Sequence, residues 1–183
     1  MNEKNNKRIS KFLCLLLRHQ PQKIGLTLDT NGWATIEELI QKSKQHGVVF
    51  SFEELKNIVA TNDKQRFSLN EDNTKIRANQ GHSLKNVDVE LQASTPPSYL
   101  YHGTVAKFIT AIKGEGLQKM NRQHVHLSAD RETATKVGNR RGKPIILTVR
   151  TGEMYQEGYE FFLSKNGVWL TDHVPSEYIE FKE

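Results

Sequence analysis

Apolar positions recur at helical spacing near the start of the chain. Over residues 8–19 they fall at Ile9, Phe12, Leu13, Leu16 and Leu17, a stripe wide enough to predict a largely buried helix. Pro21 predicts an end at or before Gln20. The run "LTLDTNGW" predicts a short strand entering a turn at Asn31-Gly32. Thr35 with Glu38, and Ser51 with Glu54, have the spacing of capping boxes. Behind each lies a helical set, Ile36, Leu39 and Ile40 in one case and Leu55, Ile58 and Val59 in the other, and Gly47 predicts the end of the first. "RFSL", the polar "NEDNT" and "KIRAN" predict a β-hairpin.

Three helices followed by a hairpin is the order of a winged-helix domain, expected over residues 1–85. The weakly patterned run ending in Pro96-Pro97 reads as a linker, residues 86–98, with one strand at most. Residues 99–183 have a different grain. "YLYHGT" and "VHLSAD" predict short strands running into loops, and "PIILTVRT" a longer one. Asp130 is placed to cap a helix over 130–137, and "YEFFLSKNGVWLT" predicts a hairpin turning at Asn166-Gly167. The fold class is therefore α+β, with a second lobe of short strands.

Composition narrows the function classes. Of the 183 residues, 36% are apolar and 26% charged, as in ordinary globular proteins. No run approaches a membrane span, and the charged start lacks the apolar region of a signal peptide. The single cysteine, Cys14, excludes an internal disulfide and predicts an inert, buried thiol. These features point to a cytoplasmic protein. A formal charge of +5 suits a polyanionic partner.

Common catalytic designs are missing. The chain has no zinc-spaced Cys/His set, no P-loop or dinucleotide glycine fingerprint, and no nucleophile elbow. Three basic features remain: Arg18-His19 closing the leucine-rich helix, Arg66 opening the hairpin, and Arg122 ahead of "HVHLS". Each alone has a plain structural explanation, such as a cation meeting a helix C-terminus. Together they suit a phosphate monoester, whose oxygens arginine forks match bidentately while a histidine moves a proton. A second cluster joins His102-Gly103-Thr104 to His124 and His126, which alternation would place on one side of a strand. Zinc is the rival reading there, but no third ligand has suitable spacing.

In "SKFLCLLLRHQPQKIGLTLDTNGW", "QRFSL", "LYHGT", "GLQKMNRQHVHLSAD", "KVGNRRGKP" and "NGVWLTDHVP", taken in this order, the chain resembles the NAD-dependent RNA (tRNA) 2′-phosphotransferases, the KptA family, nearly end to end. The resemblance implies an N-terminal winged-helix lobe, a C-terminal ADP-ribosyltransferase-like lobe, and an active site to which both contribute. It implies transfer of an internal RNA 2′-phosphate to NAD⁺, a co-substrate, with no metal. An RNA 2′-phospho-ADP-ribose intermediate gives 2′-OH RNA, nicotinamide and ADP-ribose 1″,2″-cyclic phosphate. The family's catalytic tetrad maps onto Arg18, His19, Arg66 and Arg122. NAD⁺ contacts map onto His102, Gly103, Thr104, His126, Leu127, Ser128 and Asp130.

Protein-modifying ADP-ribosyltransferases carry a catalytic glutamate late in this lobe, and here Val168 stands near that place. Arg140 and Arg141 are candidates for the RNA backbone. The expected partners are a 2′-phosphorylated RNA and NAD⁺, with no membrane, the protein acting as a monomer. Two rival classes are a winged-helix nucleic-acid-binding regulator that senses NAD⁺ and an ADP-ribosyltransferase that leaves ADP-ribose on its target.

Overall fold

The leucine-rich segment folds as α1 (Glu3–Arg18), a full turn longer at its start than its apolar stripe suggests. Asn2 makes the extra turn possible, its side-chain oxygen accepting from the Lys4 N–H. Ile9, Leu13, Leu16 and Leu17 are wholly buried, each contributing about 2 kcal/mol of apolar transfer. The computed structural model describes residues 2–181 and divides into two units, Met1–Glu90 and Leu91–Glu183.

In the first unit, β1 (Ala34–Thr35), α2 (Ile36–Gln45), α3 (Phe52–Thr61), β2 (Phe67–Leu69) and β3 (Lys75–Ala78) follow α1. The three strands form one antiparallel sheet in the order β1-β3-β2. Its register sets Phe67 opposite Ala78 and Leu69 opposite Ile76. Phe67, Ile76 and Ala78 thus join the α1 leucines in one core, with Cys14 packed at its margin.

Two local expectations fail here for physical reasons. The strand at "LTLD" does not form: residues 26–29 run without ladder partners into the turn at Asp29–Gly32. Gly32 takes φ +83° there, which glycine adopts without strain. The two apparent capping boxes also behave differently. At Ser51, the hydroxyl accepts from Glu54 N–H (3.1 Å) and Glu54 accepts from Ser51 N–H (2.8 Å). Thr35 stands at the N-cap of α2 but makes no side-chain cap bond. It is already a strand residue paired with Lys75, and Glu38 turns to Lys42 (2.6 Å).

In the second unit, β4 (Leu100–Thr104) is followed by α4 (Ala106–Glu115), β5 (Leu117–Gln118), β6 (Val125–Leu127), α5 (Arg131–Gly138) and β7 (Ile145–Val149). Then come α6 (Thr151–Gln156), β8 (Phe162–Leu163), β9 (Trp169–Thr171), β10 (His173–Val174) and β11 (Ile179–Glu180). One sheet has the order β11-β7-β4, a second β6-β9-β8, and β5 pairs with β10, all antiparallel. Both larger sheets send residues into one core, among them Leu100, Leu127, Leu147, Val149 and Trp169. Asp130 caps α5 and Gly167 (φ +78°) turns the β8–β9 hairpin. Helices α4 and α6 were not anticipated. Mixed helix and strand describe the whole. Among the described residues, no helix is long and apolar enough to cross a membrane.

Candidate functional site

Arg18 is the last residue of α1, and His19 caps it, donating its backbone N–H to Leu15. The buried leucines below hold both on a packed element. Arg18 itself is only 9% exposed. At a helix C-terminus its charge meets the negative end of the backbone dipole, which offsets part of the cost of that burial.

Arg66 directly precedes β2. Its backbone N–H and guanidinium both donate to Asn62 Oδ1 (3.3 and 3.4 Å), and Asp63 lies 3.9 Å away. The residue before it, Gln65, has φ 40°, a left-handed conformation that a non-glycine residue adopts at a cost of about 1 kcal/mol or more. Asn79 holds this bend. Its amide donates to the Gln65 carbonyl (2.7 Å), its side-chain oxygen accepts from Ser68 (2.6 Å), and its backbone N–H donates to Arg66 O (2.9 Å).

The chain leaving β3 then reaches the other two candidates within four residues. A Cβ on Gly81 would lie 3.5 Å from Nε and Cζ of Arg18, so the Arg18 side chain rests against that glycine. Ser83 donates its N–H to Arg18 O (2.9 Å), and its hydroxyl bonds Nδ1 of His19 at 2.9 Å. One short run, Asn79–Ser83, therefore supports Arg66, Arg18 and His19 in turn. Sequence reading passed over this run. Its signal was a glycine, histidine and serine beginning three residues after a strand.

His82 lies in the same run, 1% exposed, and among the described residues neither ring nitrogen has a hydrogen-bond partner. Burial, and then the charges of Arg18, His19 and Arg77, push its pKa down to about 4, so the ring is neutral at neutral pH. Arg77 on β3 is 8% exposed, stacks 4.5 Å over the Trp33 ring and faces Glu90 at 3.6 Å. Arg18 and Arg77 thus set two guanidinium groups near this ring, the second already paired with Glu90.

In the second unit the candidates form another connected group. Nδ1–H of His102, on β4, donates to the His126 carbonyl (3.0 Å), which fixes its tautomer. The Arg122 guanidinium donates to Nδ1 of His126 (3.0 Å), so that nitrogen must be unprotonated. Arg122 and the two histidines are one chain of hydrogen bonds. Desolvation and the charge of Arg141 lower the His102 pKa, against the opposing effect of the His126 bond. Desolvation, Arg141 and Arg140 lower that of Arg122, which as a guanidinium stays charged. Arg140 and Arg141 therefore act on the same space as Arg122, and Arg141 also lies 5.7 Å over the Phe108 ring. His124, one residue before β6, packs edge-on against Phe162 at 5.6 Å.

The remaining candidates are placed by the fold itself. Gly103 faces α5, where an added Cβ would lie 1.9 Å from the Ala134 carbonyl oxygen. Thr104 and Leu127 are buried. Ser128 exchanges backbone bonds with Tyr101 (2.7 and 2.9 Å). The Asp130 carboxylate accepts from Thr133 N–H (2.7 Å) and hydroxyl (2.9 Å), which lowers its pKa. Val168 lies in the hairpin, its N–H donating to Ser164 Oγ (3.0 Å). Among the described residues, no group of three or more His, Cys, Asp or Glu could hold a metal ion.

The fold is thus a mixed α+β protein with two arginine–histidine clusters mounted on packed elements. The chain belongs to the RNA 2′-phosphotransferase, Tpt1 / KptA family, whose family model matches residues 4–173. It is 60% identical over 182 residues to a probable RNA 2′-phosphotransferase of Flavobacterium johnsoniae, covering 100% of both chains. Similar proteins of the same description occur in Streptomyces coelicolor (52% over 181 residues, 99% of this chain and 98% of the relative) and Burkholderia pseudomallei (53% over 174 residues, 95% and 94%).

Proposed function

We propose that the protein removes an internal RNA 2′-phosphate by transferring it to NAD⁺. The products are 2′-OH RNA, nicotinamide and ADP-ribose 1″,2″-cyclic phosphate, and an RNA-linked phospho-ADP-ribose joins the two steps. The observation that carries this reading, in a member of this family, is the bracing of the Arg18 and His19 side chains and the Arg66 backbone by one run, Asn79–Ser83. The first unit, three helices and a three-stranded antiparallel sheet, acts as a winged-helix lobe, and the second as the ADP-ribosyltransferase-like lobe.

Arg18 and Arg66 bind the dianionic 2′-phosphate and hold it in line for attack, and the family resemblance implies the same role for Arg122. Such a nucleophile needs positioning more than activation. The same guanidinium groups stabilise charge that develops on the phosphoryl oxygens in the second step. His19 contacts the phosphate and serves the proton traffic at the ribose hydroxyl and the departing RNA oxygen.

NAD⁺ supplies the ribosyl carbon that accepts the phosphate. The second unit's donor set fits a dinucleotide: three arginines act on one space around two histidines of fixed tautomer. His102, Thr104, His126, Ser128 and Asp130 would hold it, with Gly103 and Leu127 contributing through their backbone. Arg140 and Arg141 would neutralise phosphates of either substrate.

The test is incubation with NAD⁺ and an RNA carrying one internal 2′-phosphate, followed by mass analysis of the small products. Nicotinamide and the cyclic phosphate, formed together with 2′-OH RNA, are expected. Tight RNA binding without turnover, or ADP-ribose left on a target, would overturn the reading.

A further inference from the structure

Ser83 bonds two consecutive residues of the α1 terminus: its N–H donates to Arg18 O, and its hydroxyl pairs with Nδ1 of His19, both at 2.9 Å. Such a brace fixes backbone and ring together. The run that carries it is held independently. Asn79 is anchored to Gln65, Arg66 and Ser68, Gln80 is 8% exposed, and His82 is buried as a neutral ring beside Arg18. Gly81, at φ +87°, takes a turn that L residues resist and keeps its face bare against the Arg18 side chain.

Resting on the phosphotransferase reading above, we propose that Ser83 is a positioning residue: its hydroxyl holds Nδ1 of His19 and commits Nε2 to the phosphate. An imidazole has two nitrogens of similar basicity, and the partner of one decides the role of the other. With Nδ1–H donated to Ser83 Oγ, Nε2 takes up and returns a proton while Nδ1 keeps its own. The serine accepts in both states, so the ring never swings between turnovers. Without Ser83 the ring samples both tautomers and both flips, and only part of the population presents the competent nitrogen.

The experiment compares wild type with Ser83→Ala and Ser83→Cys, by steady-state kinetics on the 2′-phosphorylated RNA and by 15N NMR of the His19 ring. Ser83→Cys keeps the side chain's size with a far weaker hydrogen-bonding group, and it decides the matter if the alanine variant does not fold. In both variants kcat should fall about 10- to 100-fold, the range typical of lost orienting partners, with KM for RNA changed less than about twofold. The His19 nitrogen signals should move toward a tautomer mixture, and Ser83→Thr should restore both readouts. Unchanged His19 signals and unchanged kcat in a folded variant would overturn the proposal. A wild-type protein that turns over no 2′-phosphorylated RNA would instead sink the phosphotransferase reading, and the NMR comparison would still decide whether Ser83 holds His19.

Discussion

Replacing His82 by leucine should remove an acid-sensitive element from the first unit. The wild-type ring is 1% exposed and its pKa lies at about 4, against 6.5 for a free imidazole. Burial is the largest single cause of that depression, and Arg18, His19 and Arg77 add to it. Because the native state binds the proton less readily than the unfolded chain, stability is full above pH 6.5 and drains away as the pH falls toward 4. The whole depression corresponds to about 3 kcal/mol, and near pH 5 about 2 kcal/mol should already be gone. Leucine cannot titrate, so its loss over the same interval should be smaller by about that amount, while titrating groups remote from His82 cancel in the comparison. Trp33 in the first unit and Trp169 in the second report separately. Urea unfolding followed by Trp33 fluorescence in a Trp169→Phe background, at several pH values, measures the difference. Parallel curves for wild type and variant from neutral to mildly acidic pH would refute the reasoning, since His82 would then not be a buried neutral ring.

Other substitutions test other contacts. Gly103→Ala pushes a methyl group to 1.9 Å from Ala134 O and 2.9 Å from Gly138 N, both backbone atoms, and should destabilise the second unit by about 3 kcal/mol in thermal unfolding. Ser51→Ala breaks a complete capping box and should cost about 1 kcal/mol, whereas Thr35→Ala, which loses no cap bond, should cost a small fraction of that in the same denaturation assay. Arg66→Ala should lower kcat/KM for 2′-phosphorylated RNA by about 100-fold or more while leaving NAD⁺ affinity nearly unchanged by calorimetry. His19→Ala should slow the second step, so that phospho-ADP-ribosylated RNA builds up on denaturing gels, and wild-type kinetics in that variant would contradict its role.

Elements were legible where one residue set carried one message. The α1 stripe, the Ser51–Glu54 box and the Asn166-Gly167 turn are each sufficient locally, and each formed. Thr35–Glu38 has the same signature as Ser51–Glu54, yet a strand partner took Thr35 and Lys42 took Glu38. Tertiary pairing outweighed local chemistry there. Helix α4 had a readable stripe in Phe108, Ile109 and Ile112, overlooked beside the HGT motif that precedes it. Arg18, His19, Arg66 and Arg122 stood out as candidates because arginine and histidine are conspicuous and lie in motifs the family shares. Ser83 did not, because its meaning lies in a bond to a residue 64 positions away. Likewise the link from Arg122 through His126 to His102 joined two groups that the sequence had kept apart.

The hairpin of the first unit has a practical consequence for handling this protein. Its two ends are unequal partners. The tip at 70–74 is solvent-exposed or nearly so and closes on its own side chains, so a dye, a tag or a new chain terminus can be put there cheaply. The other end feeds straight into the five-residue run that braces the Arg18 and His19 side chains and the Arg66 backbone. A single residue inserted between Ala78 and Ser83 would slide the rungs past their mates, and the molecule would keep its shape while losing its trade.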